Sequence, residues 1–242
     1  MHYFVSDTHL GSGNTAEQRR VEGLFLDFLT EIENDAETLF LVGDIFDFWF
    51  EYKEVVPKGF VRVLGRLAEL SDKGVRIVML TGNHDMWVGD YLTVECGIEL
   101  YTKPQTFTIA GKELFVAHGD NMNIKRKPLL RLMNTTFRSK WLRKVASSLI
   151  HPNHFIRFGK WWSSKSRKSH GAAQNIKVLQ PLIDYAFEYG MNHNIDYFVF
   201  GHMHYPADIP SPQRTLFMGD WHTAANYLVL DNNGHIELKI KN

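Results

Sequence analysis

Short apolar runs alternate with longer amphipathic stretches over much of the chain. Strands are predicted at residues 3–6, 38–42 and 75–80, with helices over 15–33 and 57–73. This alternation is typical of βαβ units around a largely parallel sheet, and it predicts an α/β fold. The later part of the chain adds a hairpin and further strands, predicted at residues 106–109, 113–117, 197–200, 215–218, 226–230 and 236–240. The proline-containing stretch 205–212 is interpreted as a turn.

A segment with a different pattern interrupts this alternation. Its apolar residues recur at helical spacing and predict two or more amphipathic helices, with Leu132, Phe137, Trp141, Leu142, Val145 and Leu149 on their apolar faces. No Asp or Glu occurs between Asp120 and Asp184, whereas residues 121–183 carry 14 Lys or Arg. The chain has 27 residues of each charge sign, so an equal acidic excess lies in the remainder. We therefore expect a core of residues 1–120 and 184–242 with an inserted helical cap at 121–183, called the insert below.

Three interpretations of the insert stay open from its pattern alone. It can be a solvated helical surface packed on the core. It can be a cap that binds an anionic and apolar partner, such as a lipid or a membrane surface. It can also bind nucleic acid, because basic and aromatic side chains suit phosphates and bases.

Composition excludes several classes of protein. With 44% hydrophobic and 22% charged residues in 242, the chain is typical of a soluble globular protein. Cys96 is the single cysteine, so an intrachain disulfide cannot form, which fits a reducing compartment. No apolar run approaches the ~18 residues of a membrane span, and the N-terminus does not resemble a signal peptide. The expected location is cytoplasmic.

Polar motifs follow five of the predicted strands directly. Ligands of open α/β sheets bind at the carboxyl ends of the strands, so these motifs are expected to share one site. They are Asp7-Thr8-His9, Gly43-Asp44-Ile45-Phe46-Asp47, Gly82-Asn83-His84-Asp85, His118-Gly119-Asp120 and Gly201-His202-Met203-His204.

The residue types in these motifs fit a pair of divalent metal ions. Carboxylate and amide oxygens suit hard cations, and imidazole suits transition metals. Each motif alone has a plain structural explanation as a turn, a helix cap or surface histidines, but the five together favour a metal site. Asp44 is the candidate to bridge the two ions, which can clamp a phosphoryl group and activate water.

The five motifs, in this order, resemble the signature of the calcineurin-like metallophosphoesterases. The resemblance covers residues 1–120 and 184–240. It implies a four-layer α/β/β/α sandwich with a dinuclear centre. It also implies the ligands, namely Asp7, His9, Asp44 and His204 for one metal and Asp44, Asn83, His118 and His202 for the other. Asp47 and Asp85 are then expected to orient these ligands, and His84 to act on the substrate phosphate, so that His84 and Asp44 are the predicted catalytic residues.

The insert and three further motifs resemble a subfamily, the UDP-2,3-diacylglucosamine hydrolases of lipid A synthesis. These motifs are Gly43-Asp44-Ile45-Phe46-Asp47-Phe48-Trp49, His118-Gly119-Asp120 and the late Gly219-Asp220-Trp221-His222-Thr223. The basic stretch 163–168 resembles the substrate-contacting helix of that subfamily. Many members of that subfamily have Arg where this chain has His84. The resemblance implies hydrolysis of UDP-2,3-diacylglucosamine to UMP and 2,3-diacylglucosamine 1-phosphate, by attack of a metal-activated hydroxide on the α-phosphorus, with Mn²⁺ as the expected metal.

The insert fits such a substrate, because basic residues would meet the diphosphate and apolar helix faces would shelter two acyl chains. The expected substrate contacts are Asn83, His84, Arg157, Lys165, Arg167, Lys168 and His202. A basic exterior also predicts peripheral contact with the anionic cytoplasmic face of the inner membrane. We expect no obligate protein partner.

Two other functions stay open at this stage. One is a metallophosphodiesterase acting on another nucleotide or on nucleic acid, although nucleic acid is disfavoured by the balanced net charge. The other is a non-catalytic scaffold of the same fold, which is disfavoured because every ligand position of the signature is filled.

Overall fold

The fold is given by a computed structural model, which describes residues 1–122, 132, 136–170, 176–210 and 212–241. For Lys140 and residues 166–170 the description covers the backbone only.

The first sheet has the strand order β11-β10-β1-β2-β3-β4. Strands β1 to β4 run parallel to one another. Strand β10 pairs antiparallel with β1, and β11 pairs antiparallel with β10 at the sheet edge. The strands are β1 (His2–Val5), β2 (Thr38–Val42), β3 (Arg76–Leu80), β4 (Glu99–Tyr101), β10 (Asn226–Leu230) and β11 (Ile236–Ile240).

The second sheet has the order β5-β6-β7-β9-β8. Strands β6, β7 and β9 are parallel, and the edge strands β5 and β8 are antiparallel to their neighbours. The strands are β5 (Gln105–Ile109), β6 (Lys112–Ala117), β7 (Tyr197–Phe200), β8 (Ala207–Ile209) and β9 (Thr215–Phe217).

Helices cover the outer face of each sheet. The bounds are α1 (Thr15–Glu31), α2 (Val61–Asp72), α3 (Tyr91–Cys96), α4 (Lys140–Leu149), α5 (Pro152–His170), a 3₁₀ helix (Ile176–Leu179) and α6 (Gln180–Gly190). Helices α1, α2 and α3 pack on the first sheet, and the 3₁₀ helix and α6 pack on the second. Helices α4 and α5 belong to the insert.

Successive side chains along each strand point to opposite faces of the sheet and so pack in different layers. Tyr3 and Val5 of β1 point toward the first helical layer, whereas Phe4 points toward the second sheet. Phe4 stacks on Phe40 of β2 with ring centroids 4.5 Å apart, between the sheets. Because both faces of each sheet are buried, the architecture is the four-layer α/β/β/α sandwich that was expected.

Most predicted elements are found, and the differences have local causes. The hairpin is present, and Ala110 and Gly111 both have positive φ, as a tight two-residue turn requires. The interpretation of 205–212 as a turn is wrong, because Ala207–Ile209 pairs with β9 at the sheet edge. The predicted helix over 57–73 begins only at Val61. The short elements α3 and β4 were not predicted.

The insert packs on the core through an aromatic cluster. Phe48, Phe50 and Tyr52, from the loop after β2, lie against Ala146 of α4 and Phe155 of α5. Across the described residues, no helix is long and apolar enough to cross a bilayer.

Candidate metal centre

The candidate ligands stand where strands end, on unusual backbone. Five of the six non-glycine residues with positive φ in the described ranges belong to the predicted ligand set, the sixth being Ala110 of the hairpin. The five are Asp7, His9, Asp44, His202 and His204. A positive φ is uncommon in non-glycine residues, and such backbone clusters at functional sites. Here it bends each ligand loop away from the strand that precedes it, and the ligand atoms of Asp7 and His9 lie within 4.8 Å of each other.

Glycines bring the ligand loops close together. A Cβ built on Gly43 would lie 2.6 Å from Nδ1 of His118, and one on Gly82 would overlap the carboxylate of Asp44. Any side chain at either position would push one candidate ligand away from another. This close approach accounts for the glycines of the Gly-Asp and Gly-Asn-His motifs.

The first cluster consists of Asp7, His9 and His204, whose ligand atoms lie within 4.8 Å of one another. Asp7 Oδ1 is 3.3 Å from His204 Nε2 and 3.8 Å from His9 Nε2. The other oxygen of Asp7 accepts hydrogen bonds from Ser6 Oγ and the backbone N–H of His202, so Oδ1 is the one turned to the histidines. Burial raises the pKa of Asp7, but the neighbouring His204 outweighs it and brings this pKa to about 2. Burial lowers the pKa of His9, which keeps it neutral as a ligand must be.

The second cluster consists of Asp44, His118 and His202. His118 Nδ1 donates to the carbonyl oxygen of Val42 at 3.0 Å, which leaves Nε2 to face Asp44 Oδ2 at 3.2 Å. The same Asp44 oxygen is 3.9 Å from His9 Nε2 of the first cluster. Asp44 therefore lies between the clusters, in the position of the predicted bridging carboxylate.

Two further carboxylates hold the ligand loops. Asp85 is fully buried and accepts hydrogen bonds from the backbone N–H groups of Gly82 and Ile45, so it joins two of the loops. Burial, followed by the charge of Asp44, raises the pKa of Asp85 to about 6. Asp47 Oδ1 lies 3.7 Å from His9 Nδ1, behind the first cluster. Both positions suit the orienting role predicted for these residues.

The donor set fits divalent cations. Among the buried polar atoms without a hydrogen-bond partner are Asp7 Oδ1, Asn83 Oδ1 and His118 Nε2. Leaving such atoms unpaired is costly, and all three belong to predicted metal ligands. Oxygen and imidazole nitrogen donors in two adjoining clusters suit a pair of borderline or hard divalent ions.

An apolar cavity adjoins this centre. It has a volume of ≈ 250 Å³ and lies between the loop after β2 and helices α4 and α5. Asn83 and His84 line its inner end, and its walls include Phe48, Trp87, Phe137, Leu142, Ala146, Phe155, Phe158 and Trp162. The cavity thus connects the candidate metal centre to the insert.

The two predicted basic contacts whose side chains the structure describes lie apart from this cavity. Arg157 and Lys165 are exposed on α5, and neither lines the cavity. Lys165 Nζ instead lies 5.7 Å from the ring centroid of Trp161. The side chains of Arg167 and Lys168 fall outside the described part of the chain. Their role in substrate binding stays a prediction.

Sequence reasoning missed two insert residues that contact the centre. Ser163 of α5 is hydrogen-bonded to Asp47 and lies 2.8 Å from His84 Nδ1. Arg138 donates to Asp120 at 2.7 Å and to the carbonyl oxygen of Gly82 at 3.4 Å. Neither contact with the centre is predicted from the sequence.

A family model described as calcineurin-like phosphoesterase matches residues 3–206, and the chain belongs to this family. The predicted fold, the phosphoesterase class and the dependence on divalent metal ions follow with it.

Relatives with a more specific name match nearly the whole chain. The UDP-2,3-diacylglucosamine hydrolase of Porphyromonas gingivalis is 36% identical over 95% of this chain and 93% of its own length. Those of Pseudomonas aeruginosa and Haemophilus influenzae are 28% and 27% identical, each over 96% of this chain and 95% of their own lengths. A solved structure of the protein AQ665 from Aquifex aeolicus, of unknown function, aligns with 16% identity and a TM-score of 0.45, over 98% of this chain and 95% of that one.

Proposed function

We propose that the protein hydrolyses UDP-2,3-diacylglucosamine to UMP and 2,3-diacylglucosamine 1-phosphate. The observation that carries this proposal is the junction of the candidate metal centre with an apolar cavity, which share Asn83 and His84. A substrate for such a junction needs a phosphoester or diphosphate beside an apolar tail. Three relatives that bear this activity in their names support the same substrate.

The cavity supplies the affinity for acyl chains. Among the described residues that line it, Arg143 is the one Lys, Arg, Asp or Glu, and its guanidinium donates to the carbonyl oxygen of Val88. Each methylene removed from water contributes about 0.8 kcal/mol to binding. Helices α4 and α5 of the insert then act as a cap that encloses the lipid part of the substrate while the diphosphate lies at the metal centre.

The metal ligands divide as the two clusters do. Asp7, His9, Asp44 and His204 would hold one ion, and Asp44, Asn83, His118 and His202 the other, with Mn²⁺ as the proposed metal. Ions bound there would polarise the phosphoryl oxygens and lower the pKa of the attacking water. Attack on the α-phosphorus releases UMP on one side and the acylated sugar 1-phosphate on the other.

His84 is the residue proposed to act on the phosphate. Its Nδ1 is 2.9 Å from the carbonyl oxygen of Asp47, which can only accept, so Nδ1 carries a proton. Its Nε2 faces the centre, 3.8 Å from Asp44 Oδ2. To donate a hydrogen bond or a proton from Nε2 to the oxygen of the departing group, the ring must be an imidazolium, with a proton on each nitrogen. Asn83 and His202 complete the polar contacts to the substrate.

The exterior of the insert supports contact with a membrane. Trp141, Leu149 and Trp161 expose 71%, 78% and 57% of their surface. Basic residues lie among them, and each lysine or arginine near an anionic bilayer adds about 1 kcal/mol of attraction. We propose peripheral contact with the anionic cytoplasmic face of the inner membrane, with Arg157, Lys165, Arg167 and Lys168 shared between that surface and the diphosphate.

The test is release of UMP from UDP-2,3-diacylglucosamine in mixed micelles. Release that requires added Mn²⁺ and stops with a chelator is expected. If the protein binds two metals and cleaves bis(4-nitrophenyl) phosphate but releases no UMP, the proposed substrate is wrong and the phosphoesterase class still holds. Cleavage of single-stranded nucleic acid by such protein would favour the alternative phosphodiesterase.

A further inference from the structure

Helix α5 comes exceptionally close to the loop after β2 at Gly159. A Cβ built on Gly159 would overlap the ring of Phe48, and both residues are buried. Glycine is a poor helix former, so its position in the middle of a 19-residue helix needs a reason. The close approach to Phe48 supplies that reason.

One turn further along α5, on the same face, Ser163 reaches the catalytic loops. Its side chain is 2% exposed and donates a hydrogen bond to Asp47 Oδ1. Its oxygen is also 2.8 Å from His84 Nδ1. Because Nδ1 carries a proton toward the carbonyl oxygen of Asp47, Ser163 Oγ accepts from this same N–H group. Ser163 therefore receives a hydrogen bond from His84 and gives one to Asp47.

This arrangement keeps a proton on Nδ1 and fixes the direction of the His84 ring. With Nδ1 engaged by Asp47 and Ser163, Nε2 is the ring atom left to face the metal centre. An imidazole held on one side only can tilt about its remaining hydrogen bond. Orienting groups behind a catalytic histidine have this effect in general.

We propose that Ser163 is a positioning residue for the phosphoesterase reaction, and that α5 docks on Phe48 through Gly159 in order to place it. The insert is then part of the catalytic apparatus as well as a receptor for the lipid. This inference rests on the proposed role of His84 at the substrate phosphate. It does not depend on which phosphoester is the natural substrate.

The first test is kinetic and uses bis(4-nitrophenyl) phosphate, which needs no acyl cavity. Ser163→Ala should lower kcat roughly tenfold, the usual worth of one orienting hydrogen bond, with KM unchanged. Ser163→Thr keeps the hydroxyl and should restore most of kcat. Ser164→Ala, the same change one residue along and away from the loops, is the matched control and should match wild type.

A second variant tests the docking with Ser163 intact. Gly159→Ala must move α5 away from Phe48, so it should lower kcat on the same diester although the serine is unchanged. Binding of two metal ions, measured by elemental analysis, should be retained in both variants, because neither residue is a proposed ligand.

The third readout is spectroscopic and needs no activity. In ¹⁵N-histidine-labelled protein, the His84 ring, assigned by its loss in His84→Gln, should show a protonated Nδ1. Ser163→Ala and Gly159→Ala should shift that signal toward a mixture of tautomers, and Ser164→Ala should not. Wild-type kcat and an unshifted ring in Ser163→Ala would overturn the inference. A rise in KM with unchanged kcat would also overturn it, by assigning Ser163 to substrate contact instead.

Discussion

Ala146 offers a direct way to narrow the apolar cavity. It is 9% exposed, lies on α4 and lines the cavity opposite α5. Ala146→Leu adds three carbons to a space of ≈ 250 Å³, so the larger side chain has room without distorting the core. The new side chain would displace about three methylenes of an acyl chain, each worth about 0.8 kcal/mol. The expected loss of about 2.4 kcal/mol corresponds to a rise in KM of about 50-fold.

The assay compares UDP-2,3-diacylglucosamines of different chain lengths with bis(4-nitrophenyl) phosphate. The rise in KM should appear with long chains, shrink as the chains shorten, and be absent for the diester. The kcat should change little, because chain burial stabilises ground state and transition state alike. Ser148→Leu places the same side chain on the exposed part of α4 and serves as the control. An equal loss on the diester, or none on the long-chain substrate, would refute the assignment of the cavity to acyl chains.

Three further predictions concern the metal centre and its link to the insert. Asp44→Asn should reduce bound metal below two ions per chain and lower kcat more than about a thousandfold. Its circular dichroism spectrum should be unchanged, and full metal loading would contradict a bridging role for Asp44. Arg138→Met removes the hydrogen bond to Asp120 and should lower the free energy of unfolding in urea by about 2 kcal/mol. The loss should be clearly smaller when Asp120 is already Asn, and additive effects of the two substitutions would contradict an interaction between the two side chains. Burial lowers the pKa of His118, but the neighbouring Asp44 outweighs it and raises this pKa to about 10. Metal binding at pH 7 should therefore release a proton and tighten as the pH rises toward 10. Calorimetry in buffers of different ionisation enthalpy measures the proton release, and metal binding that is independent of pH would contradict the prediction.

The gathering of the ligands was predictable because it follows from a rule about strand ends. Asp7, Asp44, Asn83 and His118 each come directly after an apolar run, and parallel strands bring their carboxyl ends to one edge. The layer structure was predictable as well, since βαβ alternation requires helices on the sheet faces. Both inferences depend on short-range patterns of apolar and polar residues that can be identified in the sequence alone.

The remaining features depend on contacts between distant parts of the chain. Strand β8 was missed because its pairing with β9 and the ion pair of Asp208 with Arg214 are contacts that a local pattern does not reveal. Ser163 stands 79 residues from His84, and no motif joins them. Gly159 was a local hint that helix α5 packs closely, because a glycine inside a helical pattern often marks a close contact. It does not indicate which part of the chain the helix contacts.

Hydrolysis at the α-phosphorus of UDP-2,3-diacylglucosamine can be followed by running the reaction in ¹⁸O-labelled water with Mn²⁺ and locating the label by mass spectrometry. If the metal centre directs water to the α-phosphorus, one ¹⁸O atom enters UMP and none enters 2,3-diacylglucosamine 1-phosphate. In Asp44→Asn the labelled product should form more than about a thousandfold more slowly. Label in the sugar phosphate, or release of UMP that persists without metal, would contradict this role of the metal centre.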